Sequence, residues 1–224
     1  MAEIAHYVEP RRLYRYRSLE HIDRELLAIE EAYLFCSSYR ELNDPMEGRY
    51  FSTKRLKSSN KYSAIRSEIL FNKRQIGICS FSEVYNNELM WAHYASQFKG
   101  ICIAYDLVLL LKHLPDHARF VRMYYNENVP NVGLTKRPPI EPAKMVLSYK
   151  NHRWLYEREW RMFAEQGNAR YRNPNCIVRV YTGSRTSSDQ RRQIEARLGP
   201  LKIPLSTMVL SGYSMTFDRE AGVK

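Results

Sequence analysis

The sequence predicts an α+β fold, a single domain with a mainly antiparallel sheet flanked by helices. Three observations lead there. Short apolar runs of strand character recur along the chain, among them "LYRYR", "YLFCSS", "GICSFS", "ICIAYD" and "IVRVYT". Helical stretches fall between them without the regular alternation that a doubly wound parallel sheet needs. Neither a G-x-G-x-x-G turn nor a Walker phosphate loop occurs, which argues against a Rossmann or P-loop nucleotide site. The chain of 224 residues is long enough for a sizeable core. No repeat or low-complexity block divides it, so residues 1–224 read as one domain with its core over about 12–215.

The elements follow in order. In "RRLYRYRSL", residues 11–19, Leu13, Arg15 and Arg17 alternate with Tyr14 and Tyr16, as along a strand. Then "SLEHIDRELLAIEE" reads as a helix capped by Ser18, with Leu26, Leu27 and Ile29 as its apolar stripe, running into the strand "AYLFCSS". "RELNDPMEG" is a turn-rich loop, because Asn43-Asp44-Pro45 and Gly48 favour non-helical backbone. Residues 53–74 form a polar, basic helical region, and "QIGICSFS" is a buried strand. Residues 86–98 read as a helix capped by Asn86 or Asn87, followed by the strand "GICIAYD". "LVLLLKHL" is a short apolar helix ending before Pro115, and "ARFVRMYY" is a strand. "NENVPNVGLTKRPPIEP" is a long proline-rich loop, and "AKMVLSYKNHRW" reads as a helix. "YEREWRMFAE" admits either strand or helix. "CIVRVYTGS" is a strand, "SSDQRRQIEARLG" a capped helix with Gly199 as its stop, and "STMVLSGYSMTF" the closing strand.

Composition narrows the function classes. The formal net charge of +11 favours anionic partners such as nucleic acid, nucleotides or acidic lipid heads. The 17 tyrosines suit pocket walls and interfaces, since each has an apolar ring and a polar tip. Cys36, Cys79, Cys102 and Cys176 form no C-x-x-C pair and sit among apolar residues, as buried thiols of a reducing compartment do. The N-terminal "MAEIAHYVEP" lacks a signal-type apolar run, and no segment has membrane-span length, so a cytoplasmic location without a membrane partner is expected. His93 has no second histidine at ligand spacing, so no metal site is expected.

Candidate site residues come from five places. Read as a strand, "WLYEREWRMF" puts Glu157, Glu159, Arg161 and Phe163 on one face, with the carboxylates within about 7 Å. Such a pair resists joint ionisation unless a cation or ligand hydroxyl compensates, and Arg161 could compensate one member. It suits gripping ribose hydroxyls and stabilising a developing positive charge. Read as a helix, the segment offers only an ordinary Glu157–Arg161 i, i+4 pair, worth a few tenths of a kcal/mol (roughly 0.2–0.5). Ser80 and Ser82 share one side of their strand and could bond a ligand or a neighbouring backbone; neither lies in a G-x-S-x-G elbow. Arg15 and Arg17, beside Tyr14 and Tyr16, offer guanidinium forks suited to phosphate or carboxylate. Asn43, Asp44 and Glu47 lie in a turn that could border a site or serve the turn alone. Trp91, His93 and Tyr94 could wall a pocket or pack a core.

"LYRYRSL", "ELNDPMEG", "CSFSE", "LMWAHYASQFKGICIAYD" and "WLYEREWRMF" together resemble, in order, the hallmark segments of the bacterial domain of unknown function 2971 family, from about residue 12 to 215. More distantly, an arginine on the first strand, a serine-x-serine strand and a Glu-x-Glu resemble the R-S-E class of ADP-ribosyltransferases. That resemblance implies an ADP-ribosyltransferase-like fold and NAD as substrate, without a metal. It implies that Arg15 or Arg17 holds the NAD phosphate-ribose part and that Ser80 and Ser82 brace the NAD-binding core. Glu159, with Glu157 beside it, would stabilise the cationic ribose. Trp91 and Tyr94 would stack on a ring, and Tyr16, His93 and Arg161 would complete the site. Phe81 stands where the class has threonine, and residues 86–105 have no counterpart in its pattern. A "Y-x-E-R-E-W-R"-like segment is shared with abortive-infection proteins, which implies phage defence or toxin biology and a macromolecular target. The alternative is a non-catalytic module of such a system that binds nucleic acid.

Overall fold

Alternation along the first strand sorts the molecule into two faces. The computed structural model describes residues 9–218; residues 1–8, most of the N-terminal stretch read above as lacking a signal, lie outside the described residues. In β1 (Arg12–Arg17), Leu13 joins the larger apolar cluster, whereas Tyr14 and Tyr16 join a second cluster on the opposite face. α1 (Ile22–Glu30) packs Leu26 and Ile29 onto the first face and leads into β2 (Tyr33–Ser38). Ser18 does not cap this helix. Its hydroxyl accepts from the Glu20 N–H at 3.1 Å in the preceding turn, and the helix begins after His21 with no side-chain cap.

The next stretch holds β3 (Phe51–Ser52), α2 (Lys54–Lys57), α3 (Tyr62–Gln75) and β4 (Ile76–Ser82). α4 (Glu88–Tyr94) is capped by Asn87, whose side chain accepts from the Met90 N–H at 3.1 Å. It stops four residues short of the sequence expectation, because Ser96, Gln97 and Phe98 adopt φ of 45°, 56° and 70°. That left-handed reversal delivers the chain to β5 (Ile101–Asp106) and then α5 (Leu107–His113).

Three expectations are corrected where long-range pairing overrides local pattern. The strand expected over 118–125 breaks at Met123, whose N–H donates to the Glu159 carbonyl at 3.0 Å. Its halves, β6 (Arg119–Arg122) and β7 (Tyr124–Asn126), join different sheets. β8 (Asn131–Val132) pairs with β3 inside the proline-rich loop. The helix expected over 143–154 is instead α6 (Ile140–Leu147), followed by β9 (Tyr149–Asn151) in parallel with β7 and a 3-10 turn over His152–Glu157. The ambiguous segment takes both forms: Arg158, at φ 46° and ψ 49°, separates the 3-10 turn from β10 (Glu159–Glu165). β11 (Gly167–Arg170), β12 (Ile177–Thr182) and α7 (Ser188–Leu198) follow, the last with a Ser187/Gln190 capping box and Gly199 as a right-handed C-cap. The closing strand folds back at Gly212 into β13 (Leu205–Ser211) and β14 (Ser214–Phe217).

The result is an α+β structure with a mainly antiparallel sheet flanked by helices. Its strands run β11-β2-β4-β1-β5-β12-β13-β14, with β10 and then β6 branching from β4; β12–β13 is its parallel pair. β5, apolar and almost fully buried, is the central strand between β1 and β12. Among the described residues, no helix is long and apolar enough to cross a membrane.

Candidate functional site

One edge of β4 is shared by two strands, and this opens the sheet. β10 covers the other edge along the whole of Ile76–Ser82. On the shared edge β2 pairs at Gly77 and Ile78, while β1 pairs only at Ser82. Beyond those contacts β1 stays with β5 and β2 leaves with β11. The gap between them is a cleft with about 180 Å³ of space for water-sized molecules. That is less than the roughly 300–1,000 Å³ of pockets that enclose drug-sized ligands.

The gap also settles which faces meet. Tyr14, Ser82 and Glu159 are directly opposite one another across β1, β4 and β10, so they share a face, as do Ser80 and Arg161. Arg15 and Arg17 leave β1 on the other face, with Leu13. Because β1 and β4 separate after one pair, both sets line the same cleft.

On the β1 wall the two arginines differ. Arg17 is spent on Glu25, with Nε and Nη2 donating at 2.6 and 2.7 Å. Arg15 reaches across the gap to donate from Nη2 to the Phe35 carbonyl at 3.2 Å. Among the described residues no carboxylate is in ion-pair contact with Arg15, which lines the cleft and feels Glu25 only at longer range.

The β10 wall is a buried charge cluster. Arg161, 1% exposed, holds Glu159 with two donors at 2.7 and 3.2 Å, donates to the Leu147 carbonyl at 2.8 Å and pairs with Glu47. Lys150 contacts Glu159 at 3.0 Å, Glu47 at 3.4 Å and Glu157 at short range. The Tyr94 hydroxyl donates to the other Glu157 oxygen. The Tyr125 hydroxyl accepts from the Glu159 N–H at 2.7 Å. Three carboxylates thus face two cations, leaving one negative charge in surplus when all are ionised.

The two neighbouring carboxyls respond in opposite directions. Burial would raise the Glu159 pKa, but Arg161 and Lys150 outweigh it and hold the carboxyl below its usual range. Burial pushes Glu157 up; Lys150 opposes the rise and the neighbouring Glu159 adds to it. Burial and Glu157 likewise push the Tyr94 phenol up, so it stays a donor. For Lys150, burial would favour the neutral amine, but Glu159, Glu47 and Glu157 overcome this and keep it charged.

The cleft brings together Arg15, Tyr16, Arg17, Ser80 and Ser82 on the β1–β4 side. Tyr94, Glu157, Glu159 and Arg161 line it opposite, and Asn43 and Asp44 border it. Some of these are already committed. Ser82 Oγ donates to the Glu157 carbonyl at 2.6 Å, and Asp44 Oδ1 accepts from the Met46 N–H at 2.8 Å to close its turn. Ser80 lines the cleft near Glu159 and favours its ionised form. Two expected wall residues lie elsewhere. Trp91 is fully buried, its indole N–H on the Tyr85 carbonyl at 2.7 Å and its ring edge-on to Tyr16. His93 is exposed beside a separate hollow with Ser96 and Gln97.

Sequence reasoning missed Lys150 and Tyr125 and placed Glu47 in a turn that could border a site, without its place in the charge cluster. Lys150 was hidden inside an expected helix. Among the described residues no group of three or more His, Cys, Asp or Glu is arranged to hold a metal ion, and all four cysteines are free and buried.

The fold and cleft describe an α+β protein whose split sheet joins a guanidinium wall to an acidic one. Residues 90–162, about a third of the chain, match the profile of a family described as protein of unknown function (DUF2971). That match spans α4 through the acidic wall. No curated protein and no solved structure matches the chain.

Proposed function

We propose that this cleft binds NAD and that the protein transfers ADP-ribose from it to a macromolecule, as part of a bacterial defence or toxin system. The observation that carries the reading is the adjacency of β1, β4 and β10, which gathers Arg15, Ser80 and the Glu157–Glu159 pair around one opening. NAD carries an anionic diphosphate at its centre and a cationic nicotinamide on one ribose. Arg15 offers donors to the diphosphate. Glu157, held by Lys150 and Tyr94, offers its carboxylate to the ribose. The cleft is too small to enclose a whole dinucleotide, so the nicotinamide end would enter it and the adenosine end would lie along the open side.

In the reaction the bond between the ribose anomeric carbon and the nicotinamide nitrogen breaks. Its electron pair leaves with nicotinamide, which departs neutral. Positive charge develops on the ribose, and the ionised Glu157 stabilises it from a fixed position. A nucleophile of the target then bonds to the anomeric carbon and releases its proton to solvent. Glu159 is a positioning residue: fully occupied by Arg161 and Lys150, it fixes the cation that orients Glu157. A cytoplasmic setting, which supplies NAD and keeps thiols reduced, goes with this reading.

The test is to incubate the protein with NAD labelled in its adenylate phosphate and a bacterial extract. Label should appear on a macromolecule and nicotinamide should be released. Glu157→Gln should slow nicotinamide release about 100-fold or more, the size of losing one transition-state electrostatic contact. A folded wild-type protein that neither transfers label nor releases nicotinamide would sink the proposal.

A further inference from the structure

We infer that the surface built by residues 49–74 binds single-stranded nucleic acid. This goes beyond the NAD cleft and does not depend on it. The stretch holds eight basic residues, Arg49, Lys54, Arg55, Lys57, Lys61, Arg66, Lys73 and Arg74, against one acid, Glu68. Its net charge of +7 (eight minus one) makes up most of the +11 of the whole chain. Lys73 is buried, donating to the Gly48 carbonyl; the other seven are exposed. Among the described residues none of those seven forms an ion pair, so their charge is open to a partner.

The cations belong to one body. Leu56 of α2 and Ile69 of α3 bury into the same small cluster with Val132 and Val146, joined by Tyr50, Tyr62 and Ile65. The two helices therefore present their polar sides from a common support. On α3 the outward face carries Arg66, Leu70 and Arg74 at i, i+4 spacing, with Ser63, Ser67 and Phe71 beside them.

The aromatics decide the kind of polyanion. Phe51 and Phe71 are 64% and 63% exposed, with Leu70 at 40%, within a stretch that otherwise presents charged and polar side chains. Phenyl rings held in water beside unpaired cations suit a strand whose phosphates meet the cations and whose unstacked bases meet the rings. A duplex hides its base faces and would leave the rings idle. A lipid surface would ask for a broader apolar face than α3 has, since serines separate Leu70 and Phe71 from any wider stripe. The surface also adjoins the cleft: Lys73 ties α3 to Gly48, next to the Glu47 that lines it.

The experiment is fluorescence anisotropy of a labelled oligothymidylate of about a dozen nucleotides, titrated with the full chain over a range of salt. Affinity should fall with salt, with log–log slope near −0.7 for each phosphate contacted. Arg66→Glu with Arg74→Glu should weaken binding about 10-fold or more and flatten the slope by about 1.4. Phe71→Ala should weaken it about 5-fold or more and leave the slope unchanged. The control, Arg185→Glu with Arg192→Glu, makes the same charge change at exposed positions around α7 and should stay within about 2-fold of wild type. Equal losses in the control, absence of oligonucleotide binding at low salt, or binding to phosphatidylserine vesicles in its place would each overturn the inference. Circular dichroism confirms that the variants are folded, and nicotinamide release need not be measured.

Discussion

Glu157 and Glu159 stand two residues apart and meet the same lysine, yet they carry opposite burdens. Glu159 neutralises Arg161, so its loss would strand a buried guanidinium. Glu159→Ala should cost about 3–5 kcal/mol, the range for breaking a buried pair from one side. That corresponds to a melting temperature lower by roughly 6–20 °C in a chain of this size. Glu157→Gln keeps the shape and removes a carboxyl whose ionisation burial opposes, so its melting temperature should match or exceed that of wild type. The pair also fixes a pH dependence. The folded-state pKa of Glu159 is depressed to about 2, below its unfolded value, so its stabilisation is complete above the ordinary carboxylate range and is lost as pH falls toward 2. Glu157 runs the other way: with its pKa raised by burial, its ionisation weakens the fold as pH rises past the ordinary carboxylate value. Melting curves of wild type and Glu159→Gln between about pH 2 and pH 6 should therefore converge at the acid end and separate above it.

The strands legible in the sequence were those with an apolar run or a clear alternation of their own, β1 and β2 among them. The runs behind β4, β5 and β12 needed no partner to be recognised, and the Asn87 and Ser187 caps announced α4 and α7. What could not be read was set by pairing across the chain. The 118–125 run looked continuous, but β10 claims one half and β9 the other. The pattern of 143–154 looked helical, but β7 draws residues 149–151 into a strand and so delivers Lys150 to the acidic wall. Half of the candidate site was visible as residue types, while the lysine that organises it was not. The reversal after α4 was also hidden, since nothing in "SQF" favours left-handed backbone. It is held by contacts that tolerate no side chain at Gly183, where a Cβ would stand 2.0 Å from the Phe98 carbonyl oxygen. Gly183→Ala should lower the melting temperature by several degrees at least, the scale of about 1–3 kcal/mol of overpacking. An unchanged melting curve would show that the reversal can shift without cost.

The sheet as a whole makes the cleft by withholding a pairing. Were β1 bonded to β4 along its length, Arg15 and Glu157 would be walled off on opposite faces. The separation after Tyr14 and Ser82 turns two faces into one site, and the strand order sets which side chains meet there. Charge is partitioned in the same way: seven exposed cations lie on residues 49–74, and a buried acidic cluster lies inside the cleft. The most direct measurement of the central claim is calorimetric titration of NAD into wild type and Arg15→Ala. Wild type should bind with a dissociation constant between about 1 μM and 1 mM. Arg15→Ala should bind about 10-fold or more weakly, the loss expected of a charge-assisted contact to phosphate. An NAD affinity untouched by Arg15→Ala, or no heat of binding in wild type at millimolar NAD, would contradict it.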